Sequence, residues 1–348
     1  MDKAGELGLL GTAVPEAYGG FGMNFNTSML VAEVLGAGYS FSVAQSAHTG
    51  IGTLPILYYG NEEQKQKYLP NLASGVWKAA YCLTEPDSGS DANSGKTKAE
   101  LTADGKFYKI TGQKMWITNG GFADVFIVFA KIEDDKNLTA FIVEKSHGGI
   151  TMNEPEHKMG IKGSDTRQIF FNDCMVPVEN MLSDRENGFK IAVNILNIGR
   201  IKLGIAAIGG SKGVLNHAVN YANERKQFGK NLAQFQAVQQ NLATFACEAA
   251  AANCAAMGAA QALDRNADSV FEVAAAKLRA NRAVGAGTAL AHQVHGAIGF
   301  TEEYPLHPLT RRLWAWRSEF GNDSRWSELL GARITARGAN NFWADLTA

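Results

Sequence analysis

Tyr81-Cys82-Leu83-Thr84-Glu85-Pro86-Asp87-Ser88-Gly89-Ser90-Asp91 joins the end of a β-rich run to a tight turn rich in hydroxyls and backbone N–H groups. Such a turn offers hydrogen bonds to the edge of a planar heterocycle or to a phosphate. It also reads as an ordinary surface turn, which composition alone favours by about two to one. A second stretch, Lys114-Met115-Trp116-Ile117-Thr118-Asn119-Gly120, sets an aromatic and a hydroxyl two residues apart, the spacing of one strand face. A Trp in that place covers a flat ring while the Thr hydroxyl reaches a ring nitrogen. Taken alone, a Trp is more often core.

Around these stretches the texture is β from about 77 to 182. Asp104-Gly105 is a hairpin signal, and apolar β-formers recur at 107–110, 115–118, 125–129, 140–143 and 168–171. A small, mostly antiparallel sheet or barrel fits. Upstream, in 1–76, apolar residues at three- and four-residue intervals between Gly and Pro predict short helices. Downstream, in 183–348, Ser183 and Glu186 have the spacing of a capping box, and long periodic segments cover 188–228, 234–264 and 270–297. Their lengths suit a helical bundle, and the Ala-rich run 246–262 suits close helix packing. The fold class is α+β, with a short helical region, a middle β domain and a C-terminal four-helix bundle.

With 46% hydrophobic and 19% charged residues over 348, the chain has ample material for a core. Thirty-three basic against 34 acidic residues, with no long run of either sign, point away from nucleic acid and anionic lipid and toward a small molecule. Cys82, Cys174, Cys247 and Cys254 form no CxxC or Cys/His cluster, so neither a disulfide framework nor a metal site is expected. The start, Met1 to Glu6, lacks an apolar signal core, and no run of about 18 uncharged apolar residues is visible. A cytoplasmic protein outside the membrane is the expectation.

Taken together, the two opening stretches resemble the acyl-CoA dehydrogenase family, whose marks are a YCxTEPxxGSD turn followed by a K-x-W-I-T-N/S strand. The resemblance extends through Glu16-Ala17-Tyr18-Gly19-Gly20, Val176-Pro177-Val178-Glu179-Asn180, Asn197-Ile198-Gly199-Arg200, Glu224-Arg225-Lys226-Gln227-Phe228-Gly229 and Gln293-Val294-His295-Gly296-Ala297-Ile298-Gly299-Phe300. It implies an FAD-dependent enzyme of fatty acid β-oxidation that desaturates an acyl-CoA thioester and passes electrons to an electron-transfer flavoprotein. A homotetramer, or a dimer, with FAD at a subunit interface is implied too. Tyr81, Leu83, Thr84, Gly89 and Ser90 would meet the flavin and its edge, with Trp116, Ile117 and Thr118 on its other side. Arg225, Phe228, Gln236, Gln293 and Gly296 would meet the pyrophosphate and adenosine half. Ser90, Asn197 and Arg200 would lie near the substrate. Arg225 also reads as a cation answering a helix C-terminus, and Arg200 as a surface or ion-pair residue.

The family reaction needs a carboxylate to remove the α-proton within a desolvated site. In most members it lies in a Y-E-G-T motif after the Gly-rich segment. Here that region reads Trp314-Ala315-Trp316-Arg317-Ser318-Glu319-Phe320-Gly321-Asn322. Glu319 falls one position early, about 100° of rotation if the segment is helical, and Asn322 stands for the motif threonine. Some branches carry the base on an earlier helix, at the position of Gly199 here. Glu319 is thus the candidate base, weighed evenly against a solvated helix residue paired with Arg317. Up to about Leu242 the chain resembles longer-chain members, and from about Phe245 a shorter branch. It also begins where typical members have already run through several helices. Two alternatives remain open: a catalytically impaired FAD-binding subunit of a hetero-oligomer, or an oxygen-using oxidase or monooxygenase of the same fold.

Overall fold

The structure is a computed structural model that describes residues 1–265, 269–341 and Ala344. Residues 266–268, 342–343 and 345–348 of the C-terminal region therefore lie outside the described residues. The chain divides into two units: 1–24 with 43–158 and 162–199, and 25–42 with 159–161 and 200–348.

The helices before the sheet are α1 (Asp2–Glu6), α2 (Phe25–Ala37), α3 (Phe41–Ser46), α4 (Leu54–Tyr59) and α5 (Glu62–Ser74). Helix α5 starts on a capping box in which Asn61 and Gln64 each accept from the other's backbone N–H. Its C-terminal end is tied to the sheet by His48. The ring accepts the Ala79 N–H on Nδ1 at 3.0 Å. Nε2 therefore carries the proton and donates to the Leu72 carbonyl at 2.9 Å.

The strands are β1 (Ala79–Cys82), β2 (Lys98–Leu101), β3 (Phe107–Thr118), β4 (Val125–Ile132), β5 (Thr139–Glu144), β6 (Ile150–Met152), β7 (Thr166–Pro177) and β8 (Met181–Leu182). They form one sheet in the order β6-β7-β3-β2-β4-β5-β8, with β1 also on β4. The pairing is antiparallel except where β1 and β2 run parallel to β4. Period-2 alternation sends Val125, Ile127 and Phe129 into one core with Tyr81, Leu83 and α5 residues. Phe126, Val128 and Ala130 enter a second core with Cys82, Ile169 and Phe171. Burial on both faces explains why β4 reads as a continuous apolar run.

In the second unit, α2, the later part of α6 (Gly188–Glu224), α7 (Gln236–Asp264) and α8 (Val270–His295) share one core. Met29 and Ala32 meet Ile201, Ile205 and Ile208, with Ala252, Ala256, Ala259, Ala276, Ala280 and Ala283 completing it. The alanines allow close approach, and a Cβ on Gly209 would stand 1.9 Å from the Glu33 carbonyl. Helices α9 (Leu306–Ser318) and α10 (Asp323–Arg337) follow. Arg312 on α9 is 1% exposed and donates to the Gly36 and Tyr39 carbonyls at the end of α2, at 2.6 and 2.7 Å.

One sequence expectation is corrected here. The Ser183–Glu186 capping box does not form: both residues have positive φ, and α6 begins only at Gly188. The Glu186 carboxylate instead accepts the Lys136 and Asn137 N–H groups. Helices α6 and α7 are each long and apolar enough to cross a membrane by length and composition, though neither holds 18 uncharged residues in a row. Just over half of that stretch of α6 is buried in the protein itself, as in a core helix, whereas α7 turns most of its stretch outward.

Candidate active site

At the end of β1, alternation turns Tyr81 and Leu83 inward, to 8% and 6% exposure. The Tyr81 ring meets Phe129 edge-on at 5.0 Å. Burial pushes the Tyr81 hydroxyl up and the Cys82 thiol up to about 12, which leaves Cys82 inert. Ile117 is equally buried. The side chains of Tyr81, Leu83 and Ile117 thus belong largely to the core.

Thr84, Gly89 and Ser90 face outward. The turn that carries them is held from beneath. The Glu85 carboxylate, 6% exposed, accepts the Lys96 N–H at 2.6 Å, the Thr97 N–H at 3.1 Å and the Lys114 ammonium at 2.7 Å. Burial by itself raises the Glu85 carboxyl, but the Lys114 charge and these donors outweigh it and hold it below the ordinary carboxylate value. Lys114, 0% exposed, also donates to the Phe129 and Leu83 carbonyls at 2.6 and 3.3 Å. Burial pulls its amine down, yet three oxygens take its three donors, which suits the ammonium form. The Met115 N–H adds a backbone bond to the Thr84 carbonyl at 2.8 Å. The two motifs of the sequence are therefore neighbours in space. Sequence reasoning quoted Glu85 and Lys114 only as parts of those motifs. Their opposite charges in two apolar settings were the available signal.

β3 does not continue regularly through the second motif. Its register against β7 shifts between Lys114 and Ile117, and Trp116 has φ 62°, the left-handed region. The two-apart rule therefore does not apply across Trp116. The bulge reaches a similar result by other means: Ile117 is buried, while Trp116 is 53% exposed and Thr118 half-buried. The hydroxyls of Thr84, Ser90 and Thr118 make no hydrogen bond to another described residue. An outward indole beside unpartnered hydroxyls suits a planar heterocycle with polar edge atoms. Asn119, fully buried with φ 67°, ends the strand by donating to the Ala44 and Ala79 carbonyls.

In the second unit Arg225 follows the last residue of α6, its N–H still bonded to the Tyr221 carbonyl. A two-residue hairpin comes next, between β9 (Lys226–Gln227) and β10 (Lys230–Asn231). Its tip is Phe228 and Gly229, at φ 52° and 78°, and Phe228 is 93% exposed. A bulky residue in that conformation is strained, and its exposed ring has only an edge-on contact with Phe235 at 6.3 Å to set against it. Gln236 opens α7 nearby. The end of α8 lies against the end of α6 through the Tyr221–His295 stack at 4.5 Å, which brings exposed Gln293 and Gly296 to the same region. Gly296 has φ 64° and nothing within 4 Å of an added Cβ, so its backbone is open to an anion; a guanidinium such as Arg225 suits a diphosphate.

Asn197 is exposed on α6 in the first unit. In the second unit, the Arg200 guanidinium lies over the Trp326 ring at 5.5 Å. Glu319 is not helical: α9 ends at Ser318, and Glu319 is an exposed, extended cap residue. Helical rotation therefore does not set its direction; the turn at Phe320 and Gly321, φ 57° and 108°, aims Glu319. Arg317 donates to Asp323 at 2.9 Å. Asn322 caps α10 by accepting the Arg325 N–H at 3.0 Å. No group of His, Cys, Asp and Glu suited to a metal occurs among the described residues.

Three family models match in succession: the acyl-CoA dehydrogenase N-terminal domain at 1–76, the middle domain at 80–174 and the C-terminal domain at 186–334. An acyl-CoA dehydrogenase of Bacillus subtilis is 42% identical over 315 residues, 89% of this chain and 83% of its own length. The chain belongs to the acyl-CoA dehydrogenase family. A probable acyl-CoA dehydrogenase of the same organism is 52% identical over 246 residues, 71% of this chain but only 41% of its own length. Among solved structures, a Bacillus anthracis acyl-CoA dehydrogenase complexed with FAD superposes with a TM-score of 0.91 at 40% identity, over 97% of this chain and 62% of that one. The chain thus spans well under two thirds of one close relative and most of another.

Proposed function

We propose that the chain acts as an FAD-dependent acyl-CoA dehydrogenase, an oxidoreductase on the CH–CH group, which introduces an α,β double bond into an acyl-CoA thioester. The observation that carries this is the clamp of Glu85 and Lys114, which sets outward Thr84 and Ser90 beside the Trp116–Thr118 bulge. FAD supplies the acceptor for the β-hydride. The chain's own part is to hold and to deprotonate. Trp116 covers a ring face, the Thr84, Ser90 and Thr118 hydroxyls bond its edge, and Arg225, Gln293 and Gly296 receive the diphosphate half. Glu319 takes the α-proton, which needs a base close to a carbon acid and screened from water. Asn197 and Arg200 are the residues proposed for the acyl-CoA side.

The same proposal extends to a homotetramer in the cytoplasm, to electron delivery to an electron-transfer flavoprotein, and to a place in β-oxidation. Exposed, strained Phe228 supports a second copy: such a residue is explained if a neighbouring subunit or its cofactor covers it. The test is the visible spectrum of the purified protein followed by anaerobic addition of acyl-CoAs of graded chain length. Bound flavin that bleaches supports the proposal; bound flavin that no acyl-CoA bleaches overturns it.

A further inference from the structure

The residues around Glu319 contain a buried cation that the reaction as described does not use. Lys277 on α8 is 2% exposed, and its ammonium donates to Asn281 Oδ1 at 2.6 Å, to the Trp316 carbonyl at 3.3 Å and to the Gly321 carbonyl at 3.4 Å. An ammonium has three donors, and here each meets an oxygen. Two of those oxygens bracket Glu319, three residues before it and two after. The Trp316 carbonyl lies in the last turn of α9, where carbonyls lack helical partners. The Gly321 carbonyl lies in the turn with two positive-φ residues that carries the chain into α10. From the far side the Trp326 indole donates to the same Gly321 carbonyl at 3.1 Å. The lysine stem runs past Gly204 on α6, where an added Cβ would lie in ordinary contact with Lys277 Cδ at 4.0 Å.

We propose that Lys277 is a positioning residue for the reaction: its ammonium pins the turn that presents Glu319 and keeps that carboxylate charged and aimed. The inference rests on Glu319 as the base. Two carboxylates act on Lys277 through their charge, Glu319 and Asp323. Of the two, Glu319 acts on the lysine more strongly, and Asp323 also receives Arg317. Among the described residues no further charge acts on Lys277, and the groups it donates to, Asn281 and the two carbonyls, are neutral. Burial lowers Lys277 to about 8 against the pull of the two carboxylates. Its positive charge is therefore present at neutral pH and fades as pH rises through that value.

The test uses the flavin-loaded enzyme as wild type, K277M, K277R and E319Q. Four quantities are read: flavin absorbance, kcat and KM across pH with a dye acceptor, and exchange of the substrate α-hydrogen with solvent deuterium. In K277M, kcat and α-exchange should fall about 10- to 100-fold, the cost of a misaimed reacting group, with KM little changed and the acid limb moved to higher pH. In K277R the retained charge should leave the acid limb in place while kcat falls, and the alkaline loss near the lysine value should disappear. K277M with wild-type kcat and acid limb, beside an E319Q that has lost exchange, overturns the role of Lys277 and leaves the base standing. E319Q that exchanges normally removes the base and this inference with it. Should K277M fail to hold flavin, K277R decides: reduced kcat with an unmoved acid limb supports the inference, and wild-type kcat overturns it.

Discussion

Lys114 Nζ lies 2.7 Å from Glu85 Oε1, both side chains almost wholly buried, and this contact joins two sequence motifs 29 residues apart. A buried pair therefore organises the surface proposed for the flavin. Removing one partner strands a buried charge, at a cost of about 3–5 kcal/mol. K114M should lower stability by that order in urea denaturation and weaken flavin retention. E85Q should do less, because an amide oxygen still accepts some of the N–H donors.

The same pair sets an acid sensitivity. The folded Glu85 carboxyl lies below its ordinary value, so its contribution is complete above the unfolded carboxylate value of about 4.3 and is lost as pH falls through the lower folded value. E85Q should be less stable than wild type at neutral pH, and the difference should shrink in acid. Thermal unfolding of both proteins over that range measures it. A gap that stays constant would speak against an ionised Glu85.

Phe228 separates folding from function. Replacing it with glycine removes left-handed strain worth about 1–2 kcal/mol and, of packing, only the edge contact of an exposed ring with Phe235. F228G should be as stable as wild type or more so, yet retain less FAD through a dilution series and assemble less completely by light scattering.

At Gly321 an added Cβ would stand 2.7 Å from the Trp326 indole nitrogen, in a backbone at φ 108°. G321A should cost about 1–3 kcal/mol and lower kcat, since it disturbs the turn that presents Glu319. N322A should cost about 1 kcal/mol through loss of the α10 cap, and N322T should recover most of it.

Much of the fold was legible in residue order. The helices expected at 188–228, 234–264 and 270–297 form over Gly188–Glu224, Gln236–Asp264 and Val270–His295, because long apolar periodicity and glycine punctuation act locally. The errors fall where backbone departs from regular geometry. Ser183 and Glu186 have capping-box spacing but left-handed backbone, and Trp116 sits in a bulge. Glu319 lies past the helix it was placed in. Long-range polar contacts were illegible for a different reason: nothing at Glu85 names Lys114, and nothing at Lys277 names the Trp316 and Gly321 carbonyls. The outward hydroxyls were found by motif, whereas the inward turn of Tyr81 and Leu83 follows from sheet alternation once the strand is placed.

The most direct measurement is an anaerobic titration of the flavin-loaded protein with straight-chain acyl-CoAs, run in parallel on E319Q. The account predicts that at least one chain length bleaches the wild-type flavin and that E319Q binds the same thioester without bleaching. Wild-type flavin that stays oxidised with every acyl-CoA, or E319Q that bleaches at the wild-type rate, would contradict it.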